Sequence, residues 1–427
     1  MHYTVDKHGN MVIVKSKDND SAYKGLLQTN DYTWGDKKQV SVNINNLLSD
    51  AVMNGSTLKV TNLIKNGAEV NVTILKKAVL HSNSEIINIL LNSGADRFSK
   101  YALNVAISRN NSEIVKMLID AGANVTQTDF MDAILCNNLE IVKILVDAGA
   151  NVKGRDKDGM TPLMFAAKRN KDSEMIKTLI RLGADINERD KDGMTPLMFA
   201  AGYNISESVI DVLCKSGADV NAQTNHGITA LMEAAGRNNN ENVIDVLCKS
   251  GAEVNAKDDR GRTALSYAAN FNYNLDVITK LYELGADVDA KDNKGRNALS
   301  YAANFSYNTD IVTKLCELSA NINAQDNQGM TPLMYALKHK ASQKVVKKIV
   351  KFGADVNIQN KNGETALIMA IKNRYVSVHT IKLLLHSDAN IFAQDNKGLT
   401  AFDYSRLYYN CQVSELFREI IEKPKVK

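Results

Sequence analysis

The sequence predicts an all-α protein in which about twelve helix pairs stack into a solenoid. The first observation is a repeated phrase: "DKDGMTPLMFAA" occupies Asp156–Ala167 and recurs letter for letter at Asp190–Ala201. The second is length, because 427 residues exceed one ordinary hydrophobic core but suit an array that grows by adding units. The third is composition, since 44% hydrophobic residues and only four prolines favour a folded chain without proline-rich linkers.

A glycine-centred phrase such as "LGADIN" ends each unit, and the distance between successive copies of this closing turn divides the chain into regions. The first three distances are short, and the six from Gly149 to Gly353 are longer and equal. We therefore predict a non-repeat segment over 1–44, short units over 45–152, seven long units over 153–390, and a capping unit with a tail over 391–427. The turn positions are Gly67, Gly94, Gly122, Gly149, Gly183, Gly217, Gly251, Gly285, Ser319 and Gly353.

Each long unit begins with a turn that the short units lack. In "DKDGMTPL" we expect Asp156 and Gly159 to form the turn, with glycine supplying a positive φ. Thr161 then caps a helix, and Pro162 takes its first position, where no N–H is needed. A second helix follows, and Gly183 ends it in the left-handed conformation. Its apolar residues form one buried stripe of Met175, Ile176, Leu179 and Ile180.

The motif "DGMTPLMFAA" followed by "LIRLGADIN" resembles the ankyrin repeat, and the resemblance covers roughly residues 45–420. It implies a right-handed curved stack with short β-turn fingers. It also implies that the concave face of the fingers and first helices binds another protein, without catalysis and without a cofactor.

Three departures from the family pattern stand out. The long units have a period of about 34 residues rather than about 33, with one extra residue in the loop between the helices. Ser319 and Asp388 stand where glycine is expected, at a local cost of about 1 kcal/mol each. The family's histidine after "TPL" is replaced, so its hydrogen bonds should be lost. The replacing residues are Met164, Met198, Met232, Ser266, Ser300 and Met334.

The first 44 residues do not match the repeat. In "HYTVDKHGNMVIVKS" apolar residues alternate around a "DKHGN" turn, which predicts a β-hairpin-like segment. Trp34, the only tryptophan, follows in the linking stretch. We expect this segment to cap the first repeat or to be partly disordered; the alternative is an independent functional module.

The sequence carries no signature of catalysis or of metal binding. It lacks the phosphate-binding, dinucleotide-binding, zinc-protease and nucleophile-elbow motifs. His379 and His386 could share one helix face, but two histidines without a nearby cysteine or carboxylate are typical of a solvated surface. The recurring turn aspartates are explained by turn formation through their own side chains rather than by calcium. We therefore predict that the protein is not an enzyme and holds no metal or cofactor.

Charge and hydropathy also limit the partners. The net charge of +4 is small for this length, and the residues at the fingers have mixed signs, so no nucleic-acid partner is expected. No leader-like segment and no run of about 18 apolar residues occurs, so no membrane association is expected. We predict a monomeric cytoplasmic protein, with delivery into a host cell left open.

The candidate partner site lies at the two positions that follow "AA" in the first helix of each long unit, together with the adjoining finger. Two neighbouring units, "SYAANFNYN" and "SYAANFSYN", place aromatic and arginine residues there, which is the composition of an interface hot spot. The alternative is that these aromatics fill the longer loop and pack on each other. The candidate residues are Arg169, Tyr203, Arg237, Arg262, Tyr267, Phe271, Arg296, Tyr301 and Phe305.

The resemblance and the missing catalytic motifs together favour non-catalytic recognition of a partner protein. We expect the partner to contact residues 155–400, because units without fingers over 72–152 should present a shallow face. The alternative is a regulatory or targeting arm of a bacterial effector or toxin–antitoxin system, with activity in residues 1–44 or in a partner chain. Binding of a small ligand or nucleic acid would need a continuous basic stripe on the same face.

Overall fold

The computed structural model describes residues 2–5, 10–14, 42–272, 274–304, 309–338, 342–407, 413 and 415–418. The chain divides into two compact bodies, residues 1–151 and residues 152–427. Within each body the helix pairs stack as an all-α repeat solenoid. We call the first helix of each pair the inner helix and the second the outer helix.

The first body begins with three short strands. Strand β1 (His2–Val5) pairs antiparallel with β2 (Asn10–Val14), so that Tyr3 lies opposite Ile13. Strand β3 (Val42–Asn43) pairs with the start of β2. Residues 6–9 of the predicted turn and Trp34 lie outside the described residues.

Four helix pairs follow in the first body. In each pair the chain turns from inner to outer helix through a single residue with positive φ, namely Gly55, Ser82, Asn110 and Asn137. A π-helical segment (Leu91–Ala95) and a 3-10 segment (Asp96–Phe98) connect the second pair to the third. The helices are α1 (Ile44–Met53), α2 (Thr57–Lys65), α3 (Val72–Leu80), α4 (Ser84–Leu90), α5 (Ser99–Ser108), α6 (Ser112–Asp120), α7 (Gln127–Leu135) and α8 (Leu139–Asp147).

The second body contains, within its described residues, seven helix pairs and a further inner helix. Inner helices pack on the inner helices of neighbouring units, and outer helices on outer helices. The helices are α9 (Pro162–Arg169), α10 (Ser173–Arg181), α11 (Pro196–Tyr203), α12 (Glu207–Lys215), α13 (Ala230–Arg237), α14 (Glu241–Lys249), α15 (Ala264–Phe271), α16 (Leu275–Glu283), α17 (Ala298–Asn304), α18 (Thr309–Glu317), α19 (Pro332–Lys338), α20 (Gln343–Lys351), α21 (Ala366–Lys372), α22 (Val378–His386) and α23 (Ala401–Leu407).

The predicted finger and cap occur as the sequence indicates. The Asp156 carboxylate accepts hydrogen bonds from the backbone N–H groups of Asp158 and Met160, and Gly159 has a φ of 84°. Thr161 caps α9 by accepting from the N–H of Met164. The Met164 sulfur accepts from the N–H of Thr161 at 3.4 Å. A sulfur acceptor therefore stands in the capping box, at the position where the family has histidine.

The closing turns adopt the left-handed conformation that the repeat pattern predicts. Gly183 has a φ of 94°. The two departures from glycine, Ser319 and Asp388, keep the same conformation with φ values of 63° and 62°. The motif therefore determines the backbone at these two positions even where the residue is unfavourable.

The extra residue of the long units changes how the chain turns between its two helices. In the short units a single left-handed residue follows the inner helix. In the long units an asparagine in extended conformation, such as Asn204, follows the inner helix instead. Asn204 is buried, and its Nδ2 donates to the carbonyl oxygens of Ala167 and Asn170 in the preceding unit, at 2.9 and 2.7 Å. Asn238 and Asn272 repeat both bonds one and two units later. We call this series the asparagine ladder.

Candidate protein-binding surface

Four candidate residues lie at the same position of successive inner helices. Arg169, Tyr203, Arg237 and Phe271 are the last residues of α9, α11, α13 and α15. All four are exposed, Tyr203 to 44% and Phe271 to 52%. Because consecutive inner helices pack on each other, these residues form one surface row, which we call the inner row. Phe305, the next position, lies outside the described residues.

Tyr203 is held between two cations from the neighbouring units. The Nζ of Lys168 lies 4.7 Å from the centre of its ring, and the guanidinium carbon of Arg237 lies 5.4 Å away. Arg237 also donates a hydrogen bond from Nη1 to the Tyr203 hydroxyl at 2.8 Å. Each exposed cation–π contact contributes about 0.5–1 kcal/mol. Together with the hydrogen bond, these contacts hold the Lys168 and Arg237 side chains against the Tyr203 ring.

Two helical glycines make room for the row. A Cβ atom at Gly202 would lie 3.2 Å from Oε2 of Glu233 in the next unit. A Cβ atom at Gly236 would lie 3.4 Å from Cδ1 of Tyr267 and 3.8 Å from Cδ2 of Phe271. The side chains of one unit therefore rest on the helix backbone of the unit before it. Glycine at this position of two successive inner helices is the sequence signal for this packing.

Glu233 is the acidic group beneath the row. It is 5% exposed, and Arg237 Nε lies 2.8 Å from its Oε2. That distance defines an ion pair, although in the described residues no donor makes a well-oriented hydrogen bond to this oxygen. Burial raises the pKa of the Glu233 carboxyl, and the nearby charge of the Arg237 guanidinium offsets part of the rise. Glu233 thus orients Arg237 from below while the outer side of the guanidinium stays exposed.

Arg262 and Tyr267 belong to a buried network inside their own unit. The Arg262 guanidinium donates to the finger carboxylate of Asp258 and to the Tyr267 hydroxyl, at 2.8 and 2.7 Å. The hydroxyl in turn donates to Asp258 at 3.0 Å. Tyr267 is only 7% exposed, and its ring lies 5.9 Å from the ring of Phe271. Tyr267 therefore packs under Phe271 and ties the finger to the inner helix.

Arg296 and Tyr301 repeat this network in the next unit. The Arg296 Nη2 donates to the carboxylate of Asp292 and to the Tyr301 hydroxyl, each at 2.7 Å. Burial raises the pKa of Asp292, but hydrogen bonds from Tyr301 and Arg296 outweigh it and hold the pKa below its ordinary value. Burial raises the pKa of both Tyr267 and Tyr301. Both tyrosines are neutral donors, and both aspartates are the acceptors.

The same bond from tyrosine to the finger aspartate occurs in two further units. Tyr335 donates to Asp326 and Tyr404 donates to Asp395, each at 2.6 Å. The donor stands at one fixed spacing after the acceptor in all four units. This recurring Asp-to-Tyr spacing is a sequence signal for an internal bond, and it separates Tyr267 and Tyr301 from the exposed residues of the inner row.

The inner row therefore combines exposed aromatic rings with cationic side chains. The cations at the row are Lys168, Arg169 and Arg237, and the acid that pairs with Arg237, Glu233, is buried. The described residues contain no group of three histidine, cysteine or acidic side chains placed to hold a metal. None of the described helices has the length and apolarity needed to cross a bilayer.

Comparison with known proteins agrees with the repeat pattern. A family model for ankyrin repeats, built on three copies, matches residues 48–129, 130–224, 208–292, 265–360 and 337–423. No curated protein matches the chain at a significant level.

Proposed function

The chain belongs to the ankyrin repeat family, and on that premise we propose that it recognises a partner protein through the inner row, Arg169, Tyr203, Arg237 and Phe271, extended by Phe305. Ankyrin repeats are in general protein–protein interaction modules, and the family is typically non-catalytic. The observation that supports this surface is the exposure of the Tyr203 and Phe271 rings in one row, with Tyr203 held between Lys168 and Arg237.

The chemistry of the row favours a partner that combines an apolar side chain with carboxylates. Aromatic and arginine side chains contribute most of the energy at protein interfaces, because they bury large areas with few rotatable bonds. The accessible charges of the row are positive, so carboxylates on the partner would meet Lys168, Arg169 and Arg237. Other candidate residues support the surface by fixing the fingers beside it, namely Arg262, Tyr267, Arg296 and Tyr301.

The test is capture of partners from native lysate by the full chain, followed by mass spectrometry. A Tyr203→Ala, Phe271→Ala variant should lose partners that the wild-type chain captures, with affinities lower by more than about 2 kcal/mol, or about 30-fold. The matched control is Tyr101→Ala, Tyr282→Ala, which removes two tyrosines of similar exposure from outside the row. Circular dichroism checks that both variants fold.

Equal capture by the two variants and the wild-type chain would contradict the assignment of the site. A chain without residues 1–44 should keep its partners, because the row lies in the second body. Loss of all partners on that deletion, with the helices preserved, would instead move recognition to the N-terminal segment.

A further inference from the structure

The outer helices of the second body carry a regular charge pattern. From α10 to α18 each outer helix contains at least one acidic residue, and in four of them a lysine pairs with an acid of the same helix. These pairs are exposed and contribute little to stability, but they keep each helix face close to neutral. The pairs are Lys177–Glu174, Lys215–Asp211, Lys249–Asp245 and Lys280–Glu283.

The outer helices α20 and α22 break this pattern. Neither "QKVVKKIVK" nor "VHTIKLLLH" contains an acidic residue. Across the described residues, none of their lysines has a carboxylate within ion-pair distance. We call the set Lys344, Lys347, Lys348, Lys351 and Lys382 the basic face.

The two helices present their basic residues in register. When their units are aligned on the closing turns, Gly353 and Asp388, Lys347 corresponds to Lys382. The same alignment matches Lys344 with His379 and Lys351 with His386, and all six side chains are exposed. Because α20 packs against α22, the basic side chains form two adjacent rows on neighbouring helices.

The basic face has a sharp boundary on the α18 side. Asp310 and Glu317 of α18 occupy the positions of Lys344 and Lys351 one unit earlier, so carboxylates stand there in place of ammonium groups. A membrane surface or a nucleic-acid duplex that covered α20 would also meet these acids, which would repel its phosphates. A footprint only two helices wide suits a single segment of protein.

Phe352 adds an apolar contact at one end of the face. It follows the last residue of α20, continues the ridge of Lys344 and Lys348 at a spacing of four residues, and is 39% exposed. An apolar residue beside the charges gives a docking segment a fixed register, which charge alone does not provide.

From these observations we propose that α20 and α22 form a second docking surface, which binds an acidic segment of a partner protein along the basic face. This surface lies on the outer helices and is separate from the inner row. Binding should rest mainly on lysine–carboxylate attraction, so it should weaken as the salt concentration rises.

The experiment uses the full chain and a fluorescent poly-L-glutamate of about 20 residues as the probe, followed by fluorescence anisotropy. A Lys344→Gln, Lys347→Gln, Lys351→Gln variant should bind the probe at least about tenfold more weakly, because three unpaired cations are removed. The control, Lys177→Gln, Lys215→Gln, Lys249→Gln, removes the same charge from paired lysines, and we expect its affinity to change by less than about twofold. Circular dichroism establishes that both variants fold.

Three outcomes would overturn the proposal. The wild-type chain could fail to bind poly-L-glutamate at low salt, or the control variant could lose as much affinity as the first, in which case net charge and not the basic face decides. The third outcome is that phosphatidylserine vesicles or a DNA duplex of about 20 base pairs bind as tightly as the probe and respond to the same variant. The surface would then serve a polyanion of a different class.

Discussion

The short units and the long units join their neighbours in different ways. In the first body the polar contacts between successive units are mostly between exposed side chains, such as Asn104 to Asp132 at 2.9 Å and Asn138 to Asn110 at 2.7 Å. In the second body a side chain more often bonds to backbone, and the same bond recurs from unit to unit, as in the asparagine ladder. Backbone acceptors do not depend on the neighbour's residue type, so these contacts survive sequence variation between units.

The fingers add a second series of contacts that the short units lack. The N–H of Asn225 donates to the carbonyl of Asp192, and the N–H of Asn293 to that of Arg260, at 3.0 and 2.9 Å. The residue that precedes the finger turn, for instance Lys257, donates from its side chain to the backbone of the same position one unit later. The longer period therefore brings additional hydrogen bonds between units as well as the surface beside the inner row.

The largest expected effect concerns the asparagine ladder. Asn238→Ala would remove the donors to the buried carbonyls of Ala201 and Asn204 and leave both without that partner. Unsatisfied buried groups cost about 1–3 kcal/mol each, so we expect a loss of about 3 kcal/mol in the free energy of unfolding, measured by urea denaturation. A change in the free energy of unfolding of less than about 0.5 kcal/mol would contradict the conclusion that the asparagine ladder holds the units of the second body together.

Two control substitutions sharpen this result. Asn239→Ala alters an exposed neighbour in the same loop and should be close to neutral. Ser82→Gly places glycine at a left-handed turn of a short unit, with a φ of 53°, and should stabilise the protein by up to about 1 kcal/mol. Opposite signs for Asn238→Ala and Ser82→Gly would show that the two kinds of loop are held by different forces.

Much of the fold could be predicted from the sequence because its determinants are local and repeated. The helix caps at Thr161 and Thr195 follow from residue type and position in the motif, and the left-handed turns at Ser319 and Asp388 follow from position alone. The motif carries this information redundantly, so departures at single positions do not hide it.

The arrangement of the candidate site was less predictable because it depends on contacts between units. The sequence grouped Tyr267 with Phe271, yet the first is buried under the second, since Gly236 of the preceding unit leaves space for both. Arg237 was predicted as a surface residue, but its hydrogen bond to Tyr203 joins residues of neighbouring units above the buried Glu233. Such contacts are visible only when the units are aligned with one another.

The second-largest expected effect is a difference in stability between alanine substitutions at the finger glycines and at the glycines that end the outer helices. Gly227 and Gly251 both have positive φ, but a Cβ atom at Gly227 would lie 2.9 Å from the Asp259 backbone nitrogen, whereas one at Gly251 would meet nothing within 4 Å. We expect Gly227→Ala to cost about 2 kcal/mol, from left-handed strain plus displacement of the next finger, and Gly251→Ala about 1 kcal/mol from strain alone. Gly122→Ala, at a short unit's closing turn, should match Gly251→Ala. Equal losses at all three positions in thermal denaturation would show that the contact between fingers adds nothing.

The smallest expected effect compares one buried acid of each body, Asp129 and Glu233. Asp129, in a short unit, accepts bonds from the backbone and hydroxyl of Thr126, whereas the Glu233 carboxylate faces the Arg237 guanidinium as an ion pair. Folding raises the pKa of Glu233, so its ionised form destabilises the folded state; this loss is complete above the folded pKa and disappears as the pH falls towards the unfolded value. Glu233→Gln should therefore stabilise the protein at pH 7 by less than about 1 kcal/mol, because burial and the ion pair oppose each other. The gain should vanish near about pH 4, where the wild-type side chain is also neutral.

A variant less stable than the wild type at pH 7 would mean that the pair with Arg237 outweighs burial, and that Glu233 holds the inner row in place more strongly than its raised pKa indicates.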